Sequence, residues 1–230
     1  MKIDIIAEIG VNHFGKPNLL NEYIKNFKNK GIDGISLQIL NKKKVDKKLQ
    51  KFCLKKKEIR KFFRDAKKQF KIVGVGIHSW DDFIFLKSLK LDFIKILGSS
   101  MGNEEYFNKV SKVGAKKIFL STGGRSLKEI GNFLRKVSKH KLSLIFTFWK
   151  TKNFLNEIKK IKLLKNRFNL NVAYGNHFKK INLIPKVCSY KPSEIFFYIK
   201  LNKKRKYPDN IHAVPLKKLS NLIEEIKKLN

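Results

Sequence analysis

The sequence predicts an α/β fold, a (β/α)8 TIM barrel that fills residues 1–230 as one domain. Eight short apolar runs alternate with eight segments whose apolar residues recur at helical spacing, and no linker interrupts them. Strict alternation implies parallel strands joined by right-handed crossovers. The 230 residues fit a compact barrel, which needs roughly 200 to 250. A doubly wound open sheet is the alternative, disfavoured because no Gly-x-Gly-x-x-Gly turn follows the first strand.

The first strand and the turn that leaves it, residues 3–15, show the pattern most clearly. A near-continuous apolar run is typical of a strand buried on both faces. It ends in Glu8, Gly10, Asn12 and His13. In a barrel of this kind the carboxyl ends of the strands are where chemistry is done.

The other strands are predicted from the same kind of apolar run, each ending in polar or glycine residues. They are Gly34–Leu40, Ile72–Ile77, Phe93–Leu97, Lys117–Leu120, Leu142–Phe148, Leu170–Tyr174 and Glu194–Leu201.

The helices are predicted from apolar residues at helical spacing together with end signals. The first follows Pro17 and is closed by Gly31, and Ser126 with Glu129 forms a capping box for the fifth. Ser79, with Asp82 three residues on, is predicted to cap the third. The remaining helices are predicted over 59–70, 106–113, 154–164, 184–189 and 216–226, while the lysine-rich connection 41–54 gives no clear prediction.

The charge and amino-acid composition limit the kinds of molecule that the chain is expected to bind. The net charge of +35 comes almost entirely from lysines spread along the chain. Base readout favours arginine, so a specific nucleic-acid partner is not expected, although the charge can attract an anionic small substrate. No apolar run is long enough to cross a bilayer and no signal peptide is present. Cys53 and Cys188 are too few for a disulfide framework, which indicates a cytoplasmic protein.

Closure of the barrel would bring the polar strand-end residues to one mouth. Lys95 lies in an apolar strand and needs an anionic partner, since a buried unpaired ammonium is costly. The Ser121–Thr122–Gly123–Gly124 turn could offer hydroxyl and N–H groups to a phosphate. His177 is either a metal ligand or a hydrogen-bonded loop residue. The whole set is Glu8, Asn12, His13, Gln38, His78, Lys95, Ser121, Thr122, His177 and Tyr198. It indicates a phosphorylated or carboxylated small molecule, with acid–base help from Glu8.

A series of motifs in this order resembles the N-acetylneuraminate (sialic acid) synthase family, over residues 3–229. The motifs are Ala7-Glu8-Ile9-Gly10-Val11-Asn12-His13, Gln38, Phe93-Ile94-Lys95-Ile96, Leu120-Ser121-Thr122-Gly123, Val172-Ala173-Tyr174-Gly175-Asn176-His177 and Pro208-Asp209.

The resemblance implies an enzyme that condenses phosphoenolpyruvate with an N-acylated amino sugar such as N-acetylmannosamine, in nonulosonic acid or surface carbohydrate biosynthesis. It implies a divalent metal, manganese or magnesium, that polarises the sugar aldehyde. By position, Glu8, Gln38 and Lys95 match catalytic residues, and His177 matches the first metal histidine. The resemblance further implies that Asn12, His13, Ser121, Thr122 and Asp209 bind substrate. A homodimer is possible, and the family's C-terminal antifreeze-like domain is absent from 1–230.

Several motif positions differ from the family pattern. Ser36 replaces a lysine, Ser100 an acid and Gly175 a serine, and Tyr198 occupies the position of the second metal histidine. Losing several groups that act together in catalysis can lower the rate by many orders of magnitude. The alternative function is therefore a catalytically degraded barrel that binds a sugar or phosphate ligand, or a partner protein, without turnover. A polyanion-binding basic protein ranks below both.

Overall fold

Eight parallel strands close into a barrel in the computed structural model, which describes residues 2–148, 153–201 and 206–229. The rest of the predicted 1–230 domain lies outside the described residues. Neighbouring strands pair in chain order, and the first also pairs with the eighth. The strands are β1 Asp4–Gly10, β2 Gly34–Leu40, β3 Ile72–His78, β4 Phe93–Ile96, β5 Lys117–Ser121, β6 Leu142–Phe146, β7 Asn171–Asn176 and β8 Glu194–Lys200, followed by a two-residue β9 Val214–Pro215. The predicted (β/α)8 barrel is confirmed.

Helices cover the outside of the barrel between successive strands. They are α1 Pro17–Phe27, α2 Lys56–Lys67, α3 Phe83–Ser88, α4 Glu104–Ser111, α5 Leu127–Leu134, α6 Phe154–Ile158, α7 Lys160–Phe168 and α8 Leu219–Lys228, with 3-10 helices at Lys47–Phe52, Gly98–Ser100, Ile181–Tyr190 and Leu216–Lys218. The predicted capping box of α5 is confirmed, because Ser126 Oγ accepts from the Glu129 N–H and the Ser126 N–H donates to the Glu129 carboxylate.

The start of α3 differs from the prediction. Ser79 does not cap this helix; it has a positive φ of 53°. Asp82 is the cap, because its Oδ1 accepts the Phe85 N–H at 2.8 Å. The Asp82 carboxylate lies next to the first turn and accepts one of the helix N–H groups that have no partner within the helix. The cap is therefore Asp82, three residues after Ser79.

Several other element boundaries also differ. The helix predicted over 154–164 is two short helices, α6 and α7, and the one predicted over 184–189 is a longer 3-10 helix that contains Pro185. A proline inside an α-helix clashes with the carbonyl four residues earlier, so Pro185 disfavours the α form here. β6 ends at Phe146 rather than Phe148, and α8 begins at Leu219 rather than Leu216.

An apolar layer fills the barrel interior below its carboxyl end. Ile6, Ile145 and Ala173 pack there with three phenylalanines. The rings of Phe93, Phe119 and Phe196 make mutual edge-to-face contacts with centroids 5.1 to 5.6 Å apart. This geometry is the one that aromatic pairs prefer. The layer forms the floor on which the polar residues of the barrel mouth lie.

Candidate active site at the barrel mouth

A cavity of about 470 Å³ opens at the carboxyl ends of the strands, where barrel enzymes hold their substrates. Its polar lining comes from several strands and the loops that follow them. These polar residues are Lys95, Ser99, Ser121, Arg125, Thr147, His177 and Tyr198. Four of the predicted site residues, Lys95, Ser121, His177 and Tyr198, are thus brought together.

An ion pair between Lys95 and Glu8 crosses the barrel interior at the base of this cavity. The side chains are only 7% and 3% exposed. Ser36 Oγ donates to Glu8 Oε1 at 3.3 Å, and Lys95 Nζ lies 5.6 Å from the Tyr198 ring centroid and 5.7 Å from that of Phe196. Buried charges persist when they are paired and hydrogen-bonded. The predicted need of Lys95 for an anionic partner is met by Glu8.

The strand register explains why these groups meet. Glu8 pairs with Ser36 on one side and with Tyr198 on the other. A bulge follows Glu8, and Gly10 has a positive φ of 58°. A Cβ at Gly10 would lie 2.5 Å from Tyr198 Cε1 and 2.8 Å from Asp209 Oδ2. Glycine therefore lets the Tyr198 ring and the Asp209 carboxylate approach the end of β1.

A cluster of three rings lies beside the ion pair. The ring centroids of His177 and His212 are 4.7 Å apart, and the Tyr198 ring lies 5.5 Å from the first and 5.0 Å from the second. Burial, with the nearby His212 and Lys95, lowers the pKa of His177 to about 3. Burial and Lys95 lower the pKa of His212 to about 4. Both imidazoles are therefore neutral at pH 7.

Burial also raises the pKa values of two acidic groups in this region, the Tyr198 phenol and the Asp209 carboxyl. The pKa of Tyr198 is raised by burial and by the charges of Glu8 and Asp209, so the phenol stays neutral. The pKa of Asp209 is raised to about 7 by burial and by Glu8, against the opposing effect of Lys95. Asp209 Oδ2 is buried without a hydrogen-bond partner among the described residues. This carboxyl can hold or release a proton near neutral pH.

Asn12 and His13 hold the loop after β1 in place. Asn12 Nδ2 donates to the Ile199 carbonyl at 3.1 Å, and its Oδ1 accepts the Asp209 N–H at 3.1 Å. His13 Nδ1 accepts the Gly15 N–H at 3.0 Å. Burial lowers the pKa of His13 to about 4, with the Gln38 backbone opposing the shift. Both side chains are fully buried, so they position Asp209 and the first loop.

Thr122 and Gln38 lie outside the lining of the mouth cavity. Thr122 Oγ1 donates to the Ile145 carbonyl at 3.0 Å, and Thr122 lines a neighbouring cavity of about 490 Å³ near α5 and α7. Gln38 is partly buried on β2, opposite Gly76 of β3. The structure thus brings Ser121 to the mouth and ties the Thr122 hydroxyl to β6.

With this geometry established, comparison with known proteins assigns the chain to a family. A sequence model of the NeuB family matches residues 22–230. The chain belongs to the NeuB family. It is 27% identical, over 98% of its length and 75% of the relative's, to the N,N'-diacetyllegionaminic acid synthase of Campylobacter jejuni.

Solved structures share the fold of this NeuB-family chain. An N-acetylneuraminic acid (sialic acid) synthetase from Leptospira borgpetersenii, determined with citrate, superposes with a TM-score of 0.89 at 20% identity, over 100% of this chain and 84% of that one. The spore coat polysaccharide biosynthesis protein spsE of Bacillus subtilis superposes with a TM-score of 0.86 at 16% identity, over 99% and 68%.

Sequence reasoning missed three polar groups at or beside the mouth of this NeuB-family barrel. Arg125 lines the cavity just after the Gly123–Gly124 pair, and a basic residue following a glycine-rich turn was the available signal. Ser99 also lines it, and its Oγ lies 2.9 Å from His78 Nδ1. His212 follows β8 by a loop whose path the sequence pattern does not fix.

The donor set can be tested against the metal that the resemblance implies. Among residues 2–148, 153–201 and 206–229, no three His, Cys, Asp or Glu side chains are grouped to hold an ion between them. Two neutral imidazoles nevertheless lie side by side, and the buried His212 Nε2 has no hydrogen-bond partner within those ranges. This arrangement fits an ion that takes its other ligands from water or substrate.

One finding bears on membranes. Within the part of the chain that the structure describes, no helix has the length and apolar character needed to cross a bilayer.

Proposed function

We propose that this chain condenses phosphoenolpyruvate with an N-acylated amino sugar of the N-acetylmannosamine type, in nonulosonic acid or surface carbohydrate biosynthesis. The NeuB family match and the relatives above support a sialic acid synthase-like role in sugar biosynthesis. The observation that most supports the specific reaction is a mouth cavity in which two cations, several hydroxyls and the neutral His177 imidazole line one space.

The charges in the cavity suit phosphoenolpyruvate, which carries a phosphate and a carboxylate. The Lys95 ammonium lies at the base, and Arg125, whose side chain is 37% exposed, lies at the rim. Arginine binds phosphate or carboxylate with two parallel hydrogen bonds, while lysine acts as a point charge. Ser121 and Ser99 hydroxyls add donors between them. In this proposal Lys95 exchanges part of its contact with Glu8 for the bound anion.

The reaction joins carbon 3 of phosphoenolpyruvate to the aldehyde carbon of the sugar. Water adds to carbon 2, inorganic phosphate leaves, and the aldehyde oxygen takes up a proton. In this proposal Asp209, whose pKa is raised to about 7 and whose Oδ2 has no hydrogen-bond partner among the described residues, supplies that proton. In this proposal Glu8, which is paired with Lys95, accepts a proton from the attacking water.

Manganese or magnesium, when bound, would supply Lewis-acid polarisation of the aldehyde oxygen. His177 is the residue that would hold it. The Tyr198 phenol stays protonated because of its raised pKa, which makes it a poor ligand.

The experiment is phosphate release from phosphoenolpyruvate in the presence of Mn²⁺ and a panel of N-acylated hexosamines. We expect sugar-dependent release by the wild type and by Lys109→Ala, a control lysine whose side chain is 55% exposed and paired with Glu105 on α4. We expect Lys95→Ala, shown by circular dichroism to be folded, to release none.

Two outcomes would contradict the proposal. A folded wild type that releases no phosphate with any sugar would favour the binding barrel without turnover. Full activity in Lys95→Ala would remove Lys95 from the anion site.

A further inference from the structure

Two histidines from separate loops of the barrel mouth lie together, although 34 residues separate them in the chain. His177 follows β7, and His212 belongs to the loop between β8 and β9. Their ring centroids are 4.7 Å apart with planes tilted by 41°. Neither residue belongs to a strand, so strand pairing does not account for their contact.

We infer that His177 and His212 together provide the two nitrogen ligands of a divalent-metal site, with His212 doing what Tyr198 on β8 cannot. The inference rests on the proposed function only for the choice of manganese as the ion. The remaining ligands would be water and substrate oxygens, because the described residues group no third His, Cys, Asp or Glu with this pair.

The unpaired ring nitrogen of His212 supports this inference. A metal binds a histidine through the lone pair of a ring nitrogen. His212 Nε2 is buried without a hydrogen-bond partner among the described residues. A buried ring nitrogen with no partner is costly unless a ligand satisfies it.

The surrounding charges also permit a cation. The Lys95 ammonium lies 5.6 Å from the centroid of the Tyr198 ring, which contacts both histidines, and this charge alone would oppose a metal. Glu8 pairs with that ammonium. Asp209 Oδ1 lies 3.8 Å from His212 Nε2, too far for a hydrogen bond, so this carboxyl adjoins the pair and leaves Nε2 without a partner.

The Tyr198 ring contacts both histidines. A phenol oxygen is a weaker ligand for a divalent metal than an imidazole nitrogen, so we assign the two nitrogen positions to the histidines. The Tyr198 ring packs against both imidazoles.

The test is Mn²⁺ titration of the full chain, with free Mn²⁺ measured by electron paramagnetic resonance and no substrate present. We expect the wild type to bind one Mn²⁺. His177→Ala and His212→Ala should each weaken Mn²⁺ binding by at least about tenfold, because substitutions at metal sites typically lower metal affinity by that factor or more. Tyr198→Phe should bind as the wild type does. His140→Ala is the matched control, because His140 is exposed and lies just before β6, at the amino ends of the strands and so at the end of the barrel opposite the mouth.

Unchanged Mn²⁺ affinity in His212→Ala would overturn the inference, as would a wild type that binds no Mn²⁺ at millimolar concentration. If His212→Ala fails to fold, His212→Gln and a measurement on the wild type replace it. In the wild type, substoichiometric Mn²⁺ should broaden the ring proton NMR signals of His177 and His212 before that of His140, and equal broadening of all three would contradict the site.

Failure of this inference can be distinguished from failure of the proposed function. Mn²⁺ binding that needs both histidines, in a chain that releases no phosphate from phosphoenolpyruvate, would leave the metal site standing without the reaction. Sugar-dependent phosphate release in a His212→Ala chain that still binds Mn²⁺ would leave the reaction standing and exclude His212 as a ligand.

Discussion

His13 should make the fold sensitive to mild acid. Its ring is fully buried in the loop after β1, and its Nδ1 accepts the Gly15 N–H at 3.0 Å. Protonation of Nδ1 would remove that acceptor and place a charge in the core. Burial accordingly lowers the pKa of His13 from 6.5 to about 4. The unfolded chain therefore binds more protons than the fold at mildly acidic pH.

The size of the effect follows from this difference. Because the folded pKa is depressed, the contribution is fully present above pH 6.5 and declines as the pH falls towards 4. Each pH unit in that window is worth about 1.4 kcal/mol. Since half of the folded His13 side chains are protonated at pH 4, the loss there reaches about 3 kcal/mol of unfolding free energy.

The assay compares wild type with His13→Asn by urea unfolding at constant ionic strength from pH 7 to pH 4. The Asn carboxamide oxygen can still accept the Gly15 N–H, but it does not titrate. His177 and His212 also titrate in acid, and their effects cancel because both proteins contain them. We expect the wild type to lose about 3 kcal/mol more than the variant over this range. Parallel stability curves would refute the reasoning.

Three further substitutions test the packing of the mouth. Glu8→Gln alone should lower the free energy of unfolding by about 3 to 5 kcal/mol, because it leaves the Lys95 ammonium buried and unpaired. Adding Lys95→Met should recover much of that loss in urea unfolding. If the losses of the two single variants simply add, the two residues are not coupled. Gly10→Ala should cost roughly 1 to 3 kcal/mol, seen as a lower Tm, because a Cβ at this positive φ would lie 2.5 Å from the β8 tyrosine ring. Gly175→Ser should destabilise by about 1 to 3 kcal/mol, because its Cβ would lie 2.6 Å from Thr147 Cγ2. Thr147→Ser removes that methyl and should restore part of the lost stability in thermal unfolding, because Ile145 Cγ2, at 2.9 Å from the added Cβ, remains. A Gly175→Ser chain as stable as the wild type would contradict the clash.

Hydrophobic pattern alone was enough to predict the barrel. Its strands are buried on both faces, so each reads as an apolar run, as in β2, where Gln38 is the only residue that is not buried. Helix caps could also be predicted where a single side chain forms the cap, as at Ser126. The prediction was wrong at Ser79, because two candidate caps lay three residues apart and the backbone conformation, which the sequence does not show, makes Asp82 the cap.

The site was predictable only where a polar residue interrupts a strand. Lys95 and Glu8 were found in this way, but their pairing crosses the barrel and depends on closure. His212 gave no such signal, because it lies in a loop whose approach to His177 is set by Asn12 and Asp209 rather than by any local pattern. Long-range hydrogen bonds of this kind have no signature in a single sequence.

The aromatic layer of Phe93, Phe119 and Phe196 gives the barrel two ends that can be engineered separately. Above it lie the mouth residues; below it, Lys117 Nζ lies 2.5 Å from Glu194 Oε1 at the amino ends of the strands. Since distant sites without shared partners contribute additively, surface attachment, labelling or stabilising substitutions at the lower end should leave the upper end unchanged. The lower face is therefore the place for a tether or a biosensor linkage when ligand binding at the mouth is to be measured on a surface.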